Sequence, residues 1–547
     1  MKTIRILLAC LTVFFSASLV NARPVNELSD FAVLPVLDEG RVKPLDTFAR
    51  INLKQLCGAE RLPDISAIEW LAEVLFDQES AYSRPVFFIA NPQLVKTLTL
   101  DMTGRRLYSY QEISASLRQH LKAAHALFRM PPQDLSADQA QLVALFQSAR
   151  CFVDLRASLY CIPVPQPATE HAWFSPWHAD MPGHASAPLS RLLREWEELA
   201  RVYQSGDDAA MRGAGRRLRQ DTLAAAGGSV SDVRLRAEVW SNSARLFAKS
   251  LWLYCVALAV LVAGFVSRLR RLRGAAFLLA AAGAICHAAG IILRTIIMAR
   301  PPVSGLYESM IGIAFIGVMT GLVLERRLKS GVGTGIALIL GSFLLSMAFR
   351  QDSGDTMKML PAVLNTNLWL AVHVVTIILG FAFCLAGGIL AHFELYYRMM
   401  RSGNNSACRA VAAGVGTVVA LALFFTVLGT MLGGLWADQS WGRFWGWDPK
   451  ENGALLVIVW IVWLMHGRAS NRIGALGYCA GIAALTIIVA LAWLGVNLLS
   501  VGKHSYGFTQ GVTTGLGLFC AGESCIILSA VYISRLRSAK EKAQAIN

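Results

Sequence analysis

From Phe247 onward the chain is a succession of apolar runs, each about as long as a bilayer is thick. Nine can be marked, at 247–267, 275–293, 308–324, 332–349, 368–396, 410–433, 450–466, 473–499 and 510–534. A spanning helix needs roughly 20 apolar residues. Hydrocarbon supplies no hydrogen bonds, so each span must satisfy its own backbone, and consecutive long runs imply a helix bundle. Lys and Arg test the orientation. With residue 246 outside, the inner connections and tail hold sixteen basic residues, and the outer connections hold seven. That asymmetry predicts the N-terminal part outside, the C-terminus inside and an odd number of spans. Composition agrees: 16% of residues are charged, against about 25% in soluble domains. The net charge of +15 gathers beside the spans, without a basic face of interleaved aromatics, which excludes nucleic acid as a partner.

The chain begins like an exported protein. Lys2 and Arg5 precede an apolar run from Ile6 to Val20, and Val20-Asn21-Ala22 offers small residues for cleavage. A signal peptide over 1–22 is expected, with an uncleaved anchor as the alternative. Residues 23–246 have ordinary charge content and read as a soluble, mainly helical periplasmic domain. Helices are predicted over 190–203 and 209–226 and a strand over 86–90. The first transmembrane helix and its cytoplasmic connection occupy 247–274, the main membrane domain 275–534 and a cytoplasmic tail 535–547. The fold class is therefore an all-α polytopic bundle behind an exported domain. Of eleven cysteines, Cys57, Cys151 and Cys161 fall in the exported region. A Cys151–Cys161 disulfide is expected in that oxidising compartment, leaving Cys57 odd. There is no CxxCH and no CxxC, so the chain is neither a c-type cytochrome nor a thioredoxin-like reductant.

The chemistry concentrates before the seventh run. Trp436, Trp441, Phe444, Trp445 and Trp447 fall within twelve residues of a chain with 14 Trp in 547. Tryptophan collects at membrane interfaces as an anchor, which accounts for one or two rings but not this density. Gly442 and Gly446 between the rings would let the backbone approach a flat ligand. Indoles pair a large apolar face with one N–H, which suits a planar amphipathic macrocycle such as haem. Asp448-Pro449-Lys450-Glu451 reads as a helix start, with Asp448 as N-cap, Pro449 first in the helix and Glu451 closing a capping box. A direct ligand role for Asp448 stays open beside that.

Five histidines lie in the membrane region. His373 opens the fifth run and His504 follows the eighth, so topology places both on the side of the Trp loop. Two imidazoles flanking an aromatic platform are what a six-coordinate haem iron requires. His466 ends the seventh run, near the other edge of the hydrocarbon, as a snorkelling side chain or a ligand of a second haem. His287 is mid-span and costly without a partner, and His392 carries a weaker signal. Arg294 and Arg300 flank the third run from its outer side and could meet haem propionates; a polar loop with Glu308 as a cap is the plainer reading. His171, His178 and His184, with Trp173 and Trp177, read first as a surface loop and second as a metal or haem site.

WGRFWGWDPKE, the preceding RPPVSGLYES, LWLAVHV around His373 and KHSYGF around His504 resemble the haem-handling membrane proteins of system II cytochrome c biogenesis, the CcsA or ResC type. The resemblance covers roughly 275–534. It implies haem b (iron protoporphyrin IX) held on the Trp loop between His373 and His504. It also implies presentation of that haem for covalent attachment to CxxCH apocytochromes c, as part of a cytochrome c synthase in the bacterial inner membrane. His466 would share a haem with a CcsB- or ResB-type subunit, and thiol-reducing thioredoxin-like proteins would keep the client reduced. GRVKPLDTFAR at 40–50 looks like the exported extension of longer family members. The chain departs from the fused form of the family because it lacks spans attributable to CcsB. The alternative is a haem transporter or chaperone that joins nothing. A b-type cytochrome would need paired histidines on facing helices, a pattern that is absent from the sequence.

Overall fold

The computed structural model describes residues 28–101, 104–131, 134–164, 172–177, 187–352, 354–360, 367–400, 406–496 and 512–546. The expected signal peptide, His171, His178, His184 and His504 lie outside the described residues. The chain forms two compact units, divided between Asn242 and Ser243.

The first unit is helical, with three two-stranded antiparallel sheets among the described residues. In one, Pro35–Asp38 pairs antiparallel with Arg41–Pro44. Its turn residues Glu39 and Gly40 both take positive φ, 49° and 78°, which matches the twist of a two-residue hairpin. This is the GRVKPLDTFAR segment. Arg41 forks onto Glu238 at 2.7 and 3.0 Å, and Asn242 donates to Asp46 and Thr47, each at 2.9 Å. Lys43 is fully buried and pairs with Asp38 at 2.8 Å. The predicted helices appear as Ala187–Ser205 and Asp208–Ala225, and the predicted strand as Pro85–Phe88.

Two expectations for this unit need correction. Trp173 is buried, and Trp177 packs on Trp196 and Phe76 with ring centroids 5.6 and 6.4 Å apart. These indoles belong to the core, because their apolar area is worth more removed from water than left on a loop. Cys151 and Cys161 are both free thiols: Cys161 faces the core and Cys151 points to solvent from the helix Ala137–Asp154. Side chains directed to opposite sides of a wall cannot bridge without moving backbone.

The second unit is an all-α membrane bundle. Among the described residues, nine helices are long and apolar enough to cross a membrane. Its helices are α1 (Leu246–Val266), α2 (Arg270–Met298), α3 (Leu306–Leu328), α4 (Val332–Arg350), α5 (Val375–Met400), α6 (Ser406–Trp441), α7 (Pro449–Ala469), α8 (Ala475–Ala483), α9 (Leu485–Trp493) and α10 (Val512–Ile546). α8 and α9 together make one span, Ala475–Trp493. Small residues let the spans approach closely, as in membrane interfaces generally. A Cβ on Gly380 would stand 2.8 Å from the backbone nitrogen of Thr426, and one on Gly429 would stand 2.9 Å from the Cα of Ile377. α5 and α6 therefore meet backbone to backbone. His287 is fully buried on α2, and Tyr254 of α1 gives it the partner its depth demands, with Oη 3.3 Å from Nδ1.

One group in the first unit titrates out of its usual range. Glu195 is pushed up to about 7, by burial first and then by Asp221 beside it. The folded carboxyl thus keeps its proton where an unfolded one has lost it. Its contribution is complete below the ordinary 4.5 and is lost as pH rises through about 7. Glu195→Gln cannot ionise. Wild type should lose melting temperature relative to this variant between about pH 5 and 8, which thermal melts of the full chain at both values will read.

Candidate functional site

A cavity of about 230 Å³ lies at the end of the bundle where α3, α5 and α7 begin and α6 and α9 finish. His373, Trp436, Trp441, Trp445, Lys450 and Trp493 are among its walls. The short loop before α3 closes another side with Val303, Ser304 and Gly305.

His373 is aimed by an irregularity in its span. The helix Asn367–Trp369 passes into a π-helical turn, Leu370–Val374, before α5 begins. A π turn changes the register of the residues before it against those after, and such turns gather at functional sites. The His373 Nδ1 lies 2.8 Å from the carbonyl oxygen of Gly429 on α6. That contact sets the tautomer, with Nδ1–H donating, and leaves Nε2 as the nitrogen a metal would take. Gly433 makes room for the ring: a Cβ there would stand 2.6 Å from His373 Cε1. Trp436 packs on the imidazole, with centroids 5.7 Å apart at 59°. Its Nε1 is buried with no acceptor among the described residues. A buried donor left without an acceptor is costly.

The Trp loop is built from two helix ends. α6 runs to Trp441, and Gly442 follows at φ 67° with its N–H on the Asp438 carbonyl at 2.8 Å. Gly442 is thus a left-handed C-terminal stop of the kind that favours glycine. Gly446 has a different task, since the Arg443 guanidinium occupies the space its Cβ would fill. Trp447 takes φ 55° and leaves 70% of its surface exposed, its ring edge-on to Trp445 at 6.0 Å. Left-handed backbone costs a non-glycine residue about 1–2 kcal/mol, so the surroundings must hold it there. They do so through the cap of α7. The Glu451 carboxylate accepts the N–H of Gly446 at 2.8 Å and that of Asp448 at 3.1 Å. Asp448 accepts the N–H of Lys450 at 3.0 Å, and Asn452 donates to the Trp447 carbonyl at 2.9 Å. The capping box read from Asp-Pro-Lys-Glu is present.

The remaining predicted residues sit elsewhere. Arg294 is buried, bonded to Glu308 at 2.8 Å and to the hydroxyl and carbonyl of Thr356 at 3.0 and 2.8 Å. Arg300 donates to the Lys358 carbonyl at 2.8 Å. Glu308 also takes the N–H and hydroxyl of Ser304 at 2.8 and 2.7 Å. This network fixes the loop that walls the cavity. His466 is exposed on α7, its Nδ1 2.9 Å from the Val462 carbonyl. Four contributors escaped the sequence reading: Lys450 as a wall residue, Trp493, the π turn at His373 and the close approach of Gly433. For Trp493 a signal existed, an indole at the same end of its span as the Trp loop.

Residues 303–504 match the family model of the cytochrome C assembly protein. This stretch is similar to the cytochrome c assembly family. It is similar to the cytochrome c biogenesis protein CcsA of Parasynechococcus marenigrum (strain WH8102), 27% identical over 38% of this chain and 79% of that protein. The CcsA of Synechococcus sp. (strain CC9311) is 28% identical over 44% of this chain and 90% of its own length. Protein NrfI of Wolinella succinogenes is 27% identical over 40% of this chain, but the match spans only a quarter of NrfI. The CcsA-like stretch contains the cavity, the π turn and the Trp loop, whereas residues before 303 lie outside the family match.

The cap carries a direct prediction. Asp448→Ala should destabilise the membrane unit by about 1 kcal/mol, and Asp448→Asn by much less because asparagine caps nearly as well. Thermal melts of the two purified variants will compare them.

Proposed function

We propose that this chain serves cytochrome c biogenesis by holding haem in the His373 cavity and presenting it, on the periplasmic side of the bacterial inner membrane, for attachment to a CxxCH apocytochrome. The observation that carries the reading is His373. It is braced by the Gly429 carbonyl, packed at a tilt against Trp436, and shares one cavity with Trp441 and Trp445. A haem iron takes a neutral imidazole whose other nitrogen is hydrogen-bonded, and a porphyrin face takes indoles. The residues fit the group. At about 230 Å³ the cavity encloses part of a macrocycle, and the exposed Trp447 offers apolar surface for the rest. His504, by its place in the chain, is proposed as the second axial ligand.

The chain's share of the work is positioning. His373 would hold the iron through an imidazole that favours its ferrous state, and the indoles would exclude water from the ring. Each client thiol then adds its S–H across a vinyl group, forming one C–S and one C–H bond with no net redox change. The client's own histidine replaces one axial ligand. Handover of haem without ligation is the other outcome of the same site.

His466 supports a partner. It lies on an outward face of α7 with Leu456, Val459 and Trp463, the last three 49, 54 and 56% exposed. A CcsB- or ResB-type subunit seated there would cover the face and supply a second ligand. Thiol-reducing thioredoxin-like proteins would deliver the reduced client.

The test is a haem spectrum with a thioether assay on a CxxCH peptide, with and without such a partner. His373→Ala should lose the low-spin haem spectrum, and added imidazole should restore it. A variant with full haem content and full peptide ligation would overturn the reading.

A further inference from the structure

Orientation in a membrane asks only that basic residues be more numerous on one side. It does not ask how they are arranged there. At the end of the bundle away from the His373 cavity, two short turns carry six cations on one surface. Arg268, Arg270 and Arg271 lie where α1 turns into α2, and Arg326, Arg327 and Lys329 where α3 turns into α4. All six are exposed, and among the described residues none of their side chains has a hydrogen-bonded or ion-paired partner. The acid beside them, Glu325, is engaged: its carboxylate accepts the N–H groups of Gly331 and Thr334 at 2.7 and 3.2 Å. The two turns are locked to each other. Arg273 donates to the Ser330 carbonyl at 3.1 Å, and its guanidinium lies over the Phe265 ring. A Cβ on Gly331, which takes φ 89°, would stand 2.7 Å from Phe265 Cζ. Next to the cations, Val262, Val266 and Leu269 are 53, 81 and 54% exposed.

We propose that the α1–α2 and α3–α4 turns form a binding site for an anionic phospholipid that carries two phosphates, its headgroup on the six cations and its acyl chains along Val262, Val266 and Leu269. The inference is independent of the haem reading above. Cations held on interlocked turns repel one another until an anion arrives, and a guanidinium meets phosphate through paired N–H groups. Basic positions at helix ends in a membrane are where acidic headgroups bind. Three cations on each turn match two phosphates better than one. The adjoining apolar surface selects a lipid over a free phosphate, which would use the cations alone. Bound there, the lipid would clamp the α1–α2 hairpin to the α3–α4 hairpin.

The test uses the purified full-length chain, stripped of lipid in a neutral detergent and titrated with an equimolar mixture of cardiolipin and phosphatidylcholine. Native mass spectrometry reads the lipid that stays bound. Wild type should carry cardiolipin in preference to phosphatidylcholine by about tenfold or more. Arg268→Gln/Arg270→Gln/Arg271→Gln and Arg326→Gln/Arg327→Gln should each bring the two lipids toward parity. Arg468→Gln/Arg472→Gln, in the turn from α7 to α8, should keep the preference. Wild type taking both lipids equally would overturn the site. So would an equal loss in the Arg468/Arg472 variant, which would mark an effect of bulk charge. Displacement of cardiolipin by inorganic phosphate at constant ionic strength would overturn the choice of a lipid. If the triple variant fails to fold, Arg326→Gln/Arg327→Gln, which leaves the α1–α2 turn whole, decides the question.

Discussion

The first turn of α7 has N–H groups that no helix can satisfy from within. The answer is the Asp448/Glu451 capping box, and the cavity depends on it. Glu451 reaches back past the cap to the Gly446 N–H, so a single carboxylate secures both the helix start and the loop before it. That second bond makes the difference between a loop that ends a helix and one that holds four indoles in fixed places. It also steadies Trp447 in left-handed backbone, a conformation that an unsupported loop would abandon.

The other half of the site depends on the absence of side chains. α5 and α6 come together along Gly380, Gly429 and Gly433, and at the last of these the space goes to the His373 ring. Close approach brings the Gly429 carbonyl within hydrogen-bond reach of Nδ1. The seam that packs the bundle therefore also orients the imidazole. A larger residue at Gly433 would act on packing and on the ligand at once, so the two roles cannot be tuned separately.

Much of this could be read before any coordinates. The spans were legible because hydrocarbon imposes a length and forbids charge, and both are written one residue at a time. The cap was legible because Asp-Pro-x-Glu is a local pattern with a local cause. The shared location of His373 and the Trp loop followed from counting spans. The rest depends on relations between distant positions. No local signal marks a π turn at Leu370–Val374 or the fit of Gly433 to a histidine sixty residues earlier. Gly442 and Gly446 were read as backbone that a flat ligand could approach; their further tasks, a helix stop and room for the Arg443 guanidinium, carry no local signal. Cys151 and Cys161 paired on paper because spacing does not say which side of a wall each faces. Arg294 looked available because Glu308 was assigned to a cap, whereas one carboxylate serves both.

The placement of the cavity suits the ligand proposed for it. A flat macrocycle with an apolar ring and an ionised edge belongs at the boundary between hydrocarbon and water, and helix ends are where a bundle offers both. In the proposed reading the indoles would meet the ring and the braced imidazole the metal. The opposite end of α7 offers less. His466 stands exposed beside Trp463 and Val459, an apolar face that carries one imidazole. A porphyrin held there needs a second surface and a second ligand, so a site at that end would be completed by a partner, while the His373 cavity is walled by this chain.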